Sequence, residues 1–221
     1  MENQSRSELR YGGLLLSLGA LTTVICILLE VNAGWASLLV EMQRTDYEAG
    51  SFLFENWSEM NLIWTWSLIG NVFFTIASIL LMKDSIKIGW FPASLFWSIF
   101  FIGSLLLILS FGISLGSYYS ALSVIDDHPY VFETIRGIAL YLFNYGALFQ
   151  LVVLVIYFHQ GFSNQGIVSR LSAIIILLLL VGSFALMLFG VVSFGVFAIA
   201  CFLAPLLLGI FYMREMVTEA G

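Results

Sequence analysis

The stretch LSAIIILLLLVGSFALMLFGVVSFGVFAIACFLAPLLLGIFYM, residues 171–213, contains no Asp, Glu, Lys or Arg. As one helix it would reach roughly 64 Å at about 1.5 Å per residue, twice the roughly 30 Å of a bilayer's hydrocarbon core. The stretch therefore reads as two crossings. FGVVSFG at 189–195 supplies Gly190, Ser193 and Gly195 for a tight reversal between them, because glycine accepts backbone angles that other residues avoid.

The same segregation of charge runs through the whole chain. Residues 11–29, 60–82, 88–125 and 137–158 are also free of acidic and basic side chains, and each is long enough to span once. Over the 221 residues only 10% are charged and 61% are hydrophobic, with a mean hydropathy of +1.01. A soluble domain carries about 25% charged residues, and one of this size could not bury so much apolar surface. The reading is all-α: a polytopic membrane protein, one integral membrane domain over 1–221, folded as a six-helix transmembrane bundle. Its helices are expected at about 11–31, 60–82, 90–113, 132–158, 170–190 and 194–213. The apolar stretch after Arg6 and Arg10 exceeds the roughly 7–15 residues of a signal-peptide core, so it is counted as the first helix.

Orientation follows from the basic residues, which collect on the cytoplasmic side. With the N-terminus inside, Arg6, Arg10, Lys83, Lys87, Arg170 and Arg214 are cytoplasmic and Arg44 and Arg136 lie outside. Both termini are accordingly expected in the cytoplasm of a cell-membrane protein. Trp35, Trp57, Trp64, Tyr118, Tyr119 and Tyr130 fall near the outer interface, and Trp90, Tyr157 and Tyr212 near the inner one, the usual places for amphipathic rings.

The outer segment at about 32–59 has two readings. Leu38, Leu39 and Met42 stand at helical spacing, which suits a short interfacial helix; the alternative is a lid lying over the bundle. Pro92 is expected in the first turn of the third helix, where its missing N–H costs nothing. Pro205 is expected inside the sixth, bending it and needing accommodation from neighbours or hydroxyls.

Polar residues within the apolar runs are the candidates for a site. Asn71 and Asn144 lie near the middles of the second and fourth helices and could meet at one depth, an interhelical bond worth roughly 0.6–2 kcal/mol, with Gly70, Gly137 and Gly146 permitting close approach. On a helical wheel Glu133, Arg136, Gly137, Leu140, Asn144, Ala147 and Leu151 share one face, while Gln150 points away from it. Arg136, with Glu133 and Glu30 at comparable height, suggests an acid–base cluster facing an outer vestibule.

Several chemistries are disfavoured. GISLG at 112–116 matches the G-x-S-x-G pattern but lacks a strand-to-helix turn and a positioned histidine, and Gly112 and Gly116 equally make a helix-packing pair. His128 and His159 belong to opposite sides, and there is no HExxH, no CxxC and no glycine-rich phosphate loop. No cofactor, metal or catalytic residue is expected, nor is nucleic acid, since no basic aromatic surface is present. The expected partners are the lipid bilayer and other membrane proteins or further copies of the chain.

ELRYGGLLLSLGAL at 8–21 and NYGALFQLVVLVIYFHQGFSNQGIVSRLSAIIILLLLVGS at 144–183 resemble uncharacterised six-helix multi-pass membrane families of bacteria and archaea. The likeness lies in a helix with Asn, Gly and His, a short polar inner turn and a restarting helix. Val168, Ser169 and Arg170 stand where that family often has a proline. The resemblance implies an integral membrane protein and brings no substrate. Function is then expected to be that of a structural or accessory membrane protein or a subunit of a membrane assembly. The alternatives are a small-solute carrier or channel using Asn71, Asn144 and Arg136, and, third, an intramembrane enzyme.

Overall fold

In hydrocarbon a backbone amide finds no water, so an apolar run must satisfy its own N–H and C=O groups, and a helix does this within one segment. A computed structural model describes residues 2–35, 46–84, 87–88, 91–161, 168–189 and 194–218, and these are helical nearly throughout. The helices are α1 (Glu2–Asn32), α2 (Asp46–Glu55), α3 (Trp57–Leu81), α4 (Ala93–Leu122), α5 (Pro129–Gly161), α6 (Arg170–Leu188) and α7 (Phe194–Thr218). Between α3 and α4 the chain turns through a two-residue antiparallel ladder, β1 (Lys87–Ile88) on β2 (Phe91–Pro92). Five helices are long and apolar enough to cross a membrane; α6 is apolar but shorter.

The long helices form a ring. In sequence α1 packs on α3, α3 on α4, α4 on α5, α5 on α6 and α6 on α7, and α7 closes the ring by packing against α1. The core divides into two clusters. One is built around Leu16, Phe74, Phe100, Leu154 and Leu208; the other lies toward the ends near α2, around Trp35, Leu53, Met60, Trp64, Tyr118 and Phe132.

Three of the strongest crossings are made at glycines. A methyl group built on Gly13 would meet the carbonyl oxygen of Gly209 across the α1–α7 interface. On Gly19 it would meet the carbonyl of Gly70 (α1–α3), and on Gly103 that of Gly146 at 2.8 Å (α4–α5). Small residues let helix backbones approach this closely, and with no hydrophobic drive between helices in lipid such van der Waals contact carries the association. Gly137, expected to assist a similar approach, has nothing within 4 Å of its would-be Cβ, and neither do Gly112 and Gly116.

Several boundaries differ from the sequence reading. Pro92 precedes α4 in extended conformation (φ −72°, ψ 141°) instead of lying in its first turn. The third expected helix ends at Leu122, nine residues later than expected, because Gly112 and Gly116 do not break it and Tyr118, Ala121 and Leu122 continue its buried face. Between α1 and α3, α2 lays Ala49, Gly50 and Leu53 against Leu122, Ile125 and Phe132. For residues 46–55 the lid describes the packing; the interfacial helix expected at Leu38, Leu39 and Met42 lies outside the described residues. Pro205 stands inside α7 as expected, and the hydroxyl of Ser17 on α1 donates to the carbonyl of Leu206 at 3.2 Å beside it.

The glycine crossings make a contrast that can be measured. Gly103→Val should force α4 and α5 apart and cost about 1–3 kcal/mol, the usual range for overpacking a tight interface. Gly112→Val, on the open face of the same helix, should cost far less. Unfolding midpoints of the two variants in detergent would separate them; equal losses would deny the crossing its importance.

Candidate functional site

The polar residues singled out in the sequence do not gather in one place. Asn71 is buried on α3 and donates through Nδ2 to the carbonyl of Ser67, one turn earlier in its own helix, at 2.9 Å. Its Oδ1 is buried with no hydrogen-bond partner. Asn144 is exposed on the outer surface of α5. Each of these helices has α4 as a principal neighbour, so α4 stands between the two amides and the expected Asn71–Asn144 contact is not formed.

Gln150 makes the interhelical bond instead. It is buried, and its Nε2 donates to Ser104 Oγ on α4 at 2.9 Å, one turn from the Gly103–Gly146 crossing. Close approach and amide bond occur together: the glycines bring the backbones near enough for a glutamine to reach a serine. Ser104 Oγ in turn donates to the carbonyl of Phe100, so its proton and a lone pair are both used.

The serines and threonines along α3 and α4 are largely turned back on their own helices. Ser78, Ser98, Ser104 and Ser114 each donate to the carbonyl four residues earlier. Ser110 differs, donating across to the carbonyl of Ala139 on α5 at 2.7 Å. Ser114, the would-be nucleophile of GISLG, is thus mid-helix with its proton committed to Ser110, a geometry unlike a nucleophile elbow.

Glu30, Glu133 and Arg136 are likewise separate. Glu30 is half-buried, and its hydrogen bond comes from Trp64 Nε1 on α3, at 2.9 Å. Glu133 is exposed on α5 and Arg136 half-buried. The acid–base cluster expected around Arg136 is therefore not assembled from these three. Around Glu30 stand rings instead: Trp64 meets Trp35, Trp57 and Tyr118 edge-on, with centroids 5.8, 6.2 and 5.7 Å apart. Tyr118 continues to Phe132 at 5.3 Å.

A second polar centre, not singled out in the sequence, lies at the opposite end. Asp84 follows directly on α3 and is buried. Tyr212 on α7 is fully buried and donates to Asp84 Oδ2 at 2.8 Å. Trp97 Nε1 on α4 lies 3.3 Å from the same hydroxyl, and Tyr157 Oη on α5 lies 3.2 Å from it. The proton directions follow from the donor inventory. An indole N–H can only donate and a carboxylate only accept, so the single Tyr212 proton goes to Asp84 and its two lone pairs take Trp97 and Tyr157. Tyr157 is then the donor in the tyrosine pair. One hydroxyl thus joins α4, α5 and α7 to the segment that ends α3. Beside it, Lys83 pairs with Glu8 of α1 at 2.7 Å.

Among the described residues no group of three His, Cys, Asp or Glu side chains is placed to hold a metal ion. No protein-family model, curated protein or solved structure matches the chain, which is consistent with a resemblance carried mostly by glycine and leucine. The class follows from the fold: a helical chain in which, among the described residues, five helices are long and apolar enough to cross a membrane, as in a multi-pass membrane protein.

Removing the Tyr212 hydroxyl leaves two donors, Trp97 and Tyr157, without their acceptor and takes one donor from Asp84. Tyr212→Phe should therefore destabilise by about 1–3 kcal/mol, and Tyr157→Phe, which removes one donor, by about 0.5–1.5 kcal/mol. Thermal unfolding in detergent should rank them in that order; the reverse ranking would contradict the assigned proton directions.

Proposed function

We propose that the protein is a multi-pass cell-membrane protein with six crossings and both termini cytoplasmic, serving as a structural or accessory subunit of a membrane assembly. The observation that carries this reading is the state of its intramembrane polar groups. Gln150, Ser104 and Ser110 are bonded across the tightly packed α4–α5 interface, Ser17 is bonded across the α1–α7 interface, and Ser78, Ser98 and Ser114 are bonded to their own helices. Groups already committed to one another in a dry interface are not offered to a passing solute.

The six-crossing count rests on α6. Its 19 residues reach roughly 28 Å, close to the hydrocarbon thickness, and it occupies a full place in the ring between α5 and α7. The cytoplasmic placement of the termini rests on the distribution of Lys and Arg. The Lys83–Glu8 pair supports putting the start of α1 and the end of α3 on one side.

A small-solute carrier keeps one foothold, the unpartnered Oδ1 of Asn71. Thiol labelling separates the readings. In membranes, with Cys26 and Cys201 replaced, a cysteine at 71 should stay silent to an impermeant reagent while one at 133 reacts, and alkaline carbonate should leave the protein in the membrane pellet. Labelling at 71 that a solute protects would replace the accessory reading with the carrier.

A further inference from the structure

The described span of α5 runs from Pro129 to Gln160, so its midpoint falls between residues 144 and 145. On the membrane reading Asn144 falls near mid-span of α5, on the outside of the ring, with no hydrogen bond among the described residues. That is an expensive place for a carboxamide: facing lipid it has two N–H donors and a carbonyl with nothing to meet. Asn71 and Gln150, which also lie away from the ends of their helices, are turned into the bundle.

The surroundings of Asn144 have the pattern of a helix seam. Gly137, Leu140, Asn144 and Ala147 recur at alternating steps of three and four, the heptad spacing at which two helices keep one stripe facing a partner, while Leu151 at the next step packs against the bundle core. Gly137 has open space over its Cα, and Leu140 is exposed. Tyr141 and Tyr145 flank the stripe, both exposed and stacked on each other with ring centroids 6.5 Å apart.

We propose that this face is a homodimer interface, in which α5 packs in parallel against α5 of a second copy and the two Asn144 side chains bond reciprocally. The second copy is the partner because a two-fold axis along the membrane normal brings each residue opposite itself at the same depth. A carboxamide is its own complement: each Asn144 donates to the other's carbonyl and accepts in return. An asparagine at an a position is also the residue that fixes register and two-strandedness in a parallel pair. The glycine and alanine of the seam give the backbones room to close on that bond.

The dimer rests on the membrane reading, and one experiment keeps the two apart. The full chain with Cys26 and Cys201 replaced and Asn144 kept carries Leu140→Cys, on the same stripe, or, as the control, Leu178→Cys, exposed near the middle of α6. Both are oxidised in membranes with copper phenanthroline. The expected result is a disulfide-linked dimer for Leu140→Cys and monomer for Leu178→Cys. Separately, in the chain otherwise unchanged but carrying Asn144→Val, association measured by fluorescence transfer between labelled copies in liposomes should weaken roughly three- to thirtyfold, the worth of one interhelical amide pair. Folding of that variant is checked by its unfolding midpoint. No cross-link at 140, equal cross-linking at both positions, or unchanged association of a folded Asn144→Val chain would each overturn the dimer. Extraction by alkaline carbonate would instead overturn the membrane reading beneath it.

Discussion

The ring depends on how closely its helices can approach at three points. Gly13 with Gly209, Gly19 with Gly70, and Gly103 with Gly146 bring backbone within contact of backbone at the α1–α7, α1–α3 and α4–α5 crossings. In water such crossings could be replaced by larger apolar side chains, whose burial would compensate for separation. In hydrocarbon it would not, because lipid tails solvate those side chains equally well, and only the fit of surfaces and the hydrogen bonds made possible by it remain. The bonds from Gln150 to Ser104 and from Ser110 to the Ala139 carbonyl are available because α4 and α5 are already pinned together.

Depth was legible in the sequence because hydrophobic length sets it. The charge-free runs located the long helices; α6 ends at Leu188 and α7 begins at Phe194, so Gly195 is helical, while Gly190 and Ser193 of the expected reversal lie outside the described residues. Helix ends were less legible. The extension of α4 to Leu122 crosses Gly112 and Gly116, which read locally as a place to stop; burial of Tyr118, Ala121 and Leu122 under α2 outweighs their modest helix penalty. That contact joins segments distant in sequence, and no local pattern announces it.

Azimuth was the quantity the sequence could not supply for the polar site. The helical wheel correctly set Gln150 apart from Asn144, yet it carries no sign saying which of the two faces looks inward. Choosing the asparagine stripe as the inner face led to Asn144 and Arg136 as site residues; the ring turns the other face in, and Gln150 is the residue that bonds. The polar centre at Asp84 was hidden for a related reason. Tyr157 and Tyr212 have the depth of belt residues, and Asp84 reads as a loop charge, so nothing local indicated that all three would be buried together.

The two ends of the bundle therefore solve the same problem by different means. Near Asp84 a carboxylate is taken out of water, which is costly unless it is well bonded, and Tyr212 answers with a hydroxyl whose proton and both lone pairs are occupied. Such a centre has little freedom, because moving any one of α4, α5 or α7 breaks a bond to the Tyr212 hydroxyl. Near Glu30 the carboxylate is half-buried, bonded once by Trp64, and surrounded by rings that meet edge-on without directional bonds between them. Ring contacts tolerate sliding that a saturated hydroxyl does not. The Asp84 end should thus be the fixed end of the ring and the Glu30 end, under α2, the end with latitude to rearrange. Any change of shape has its physical room there.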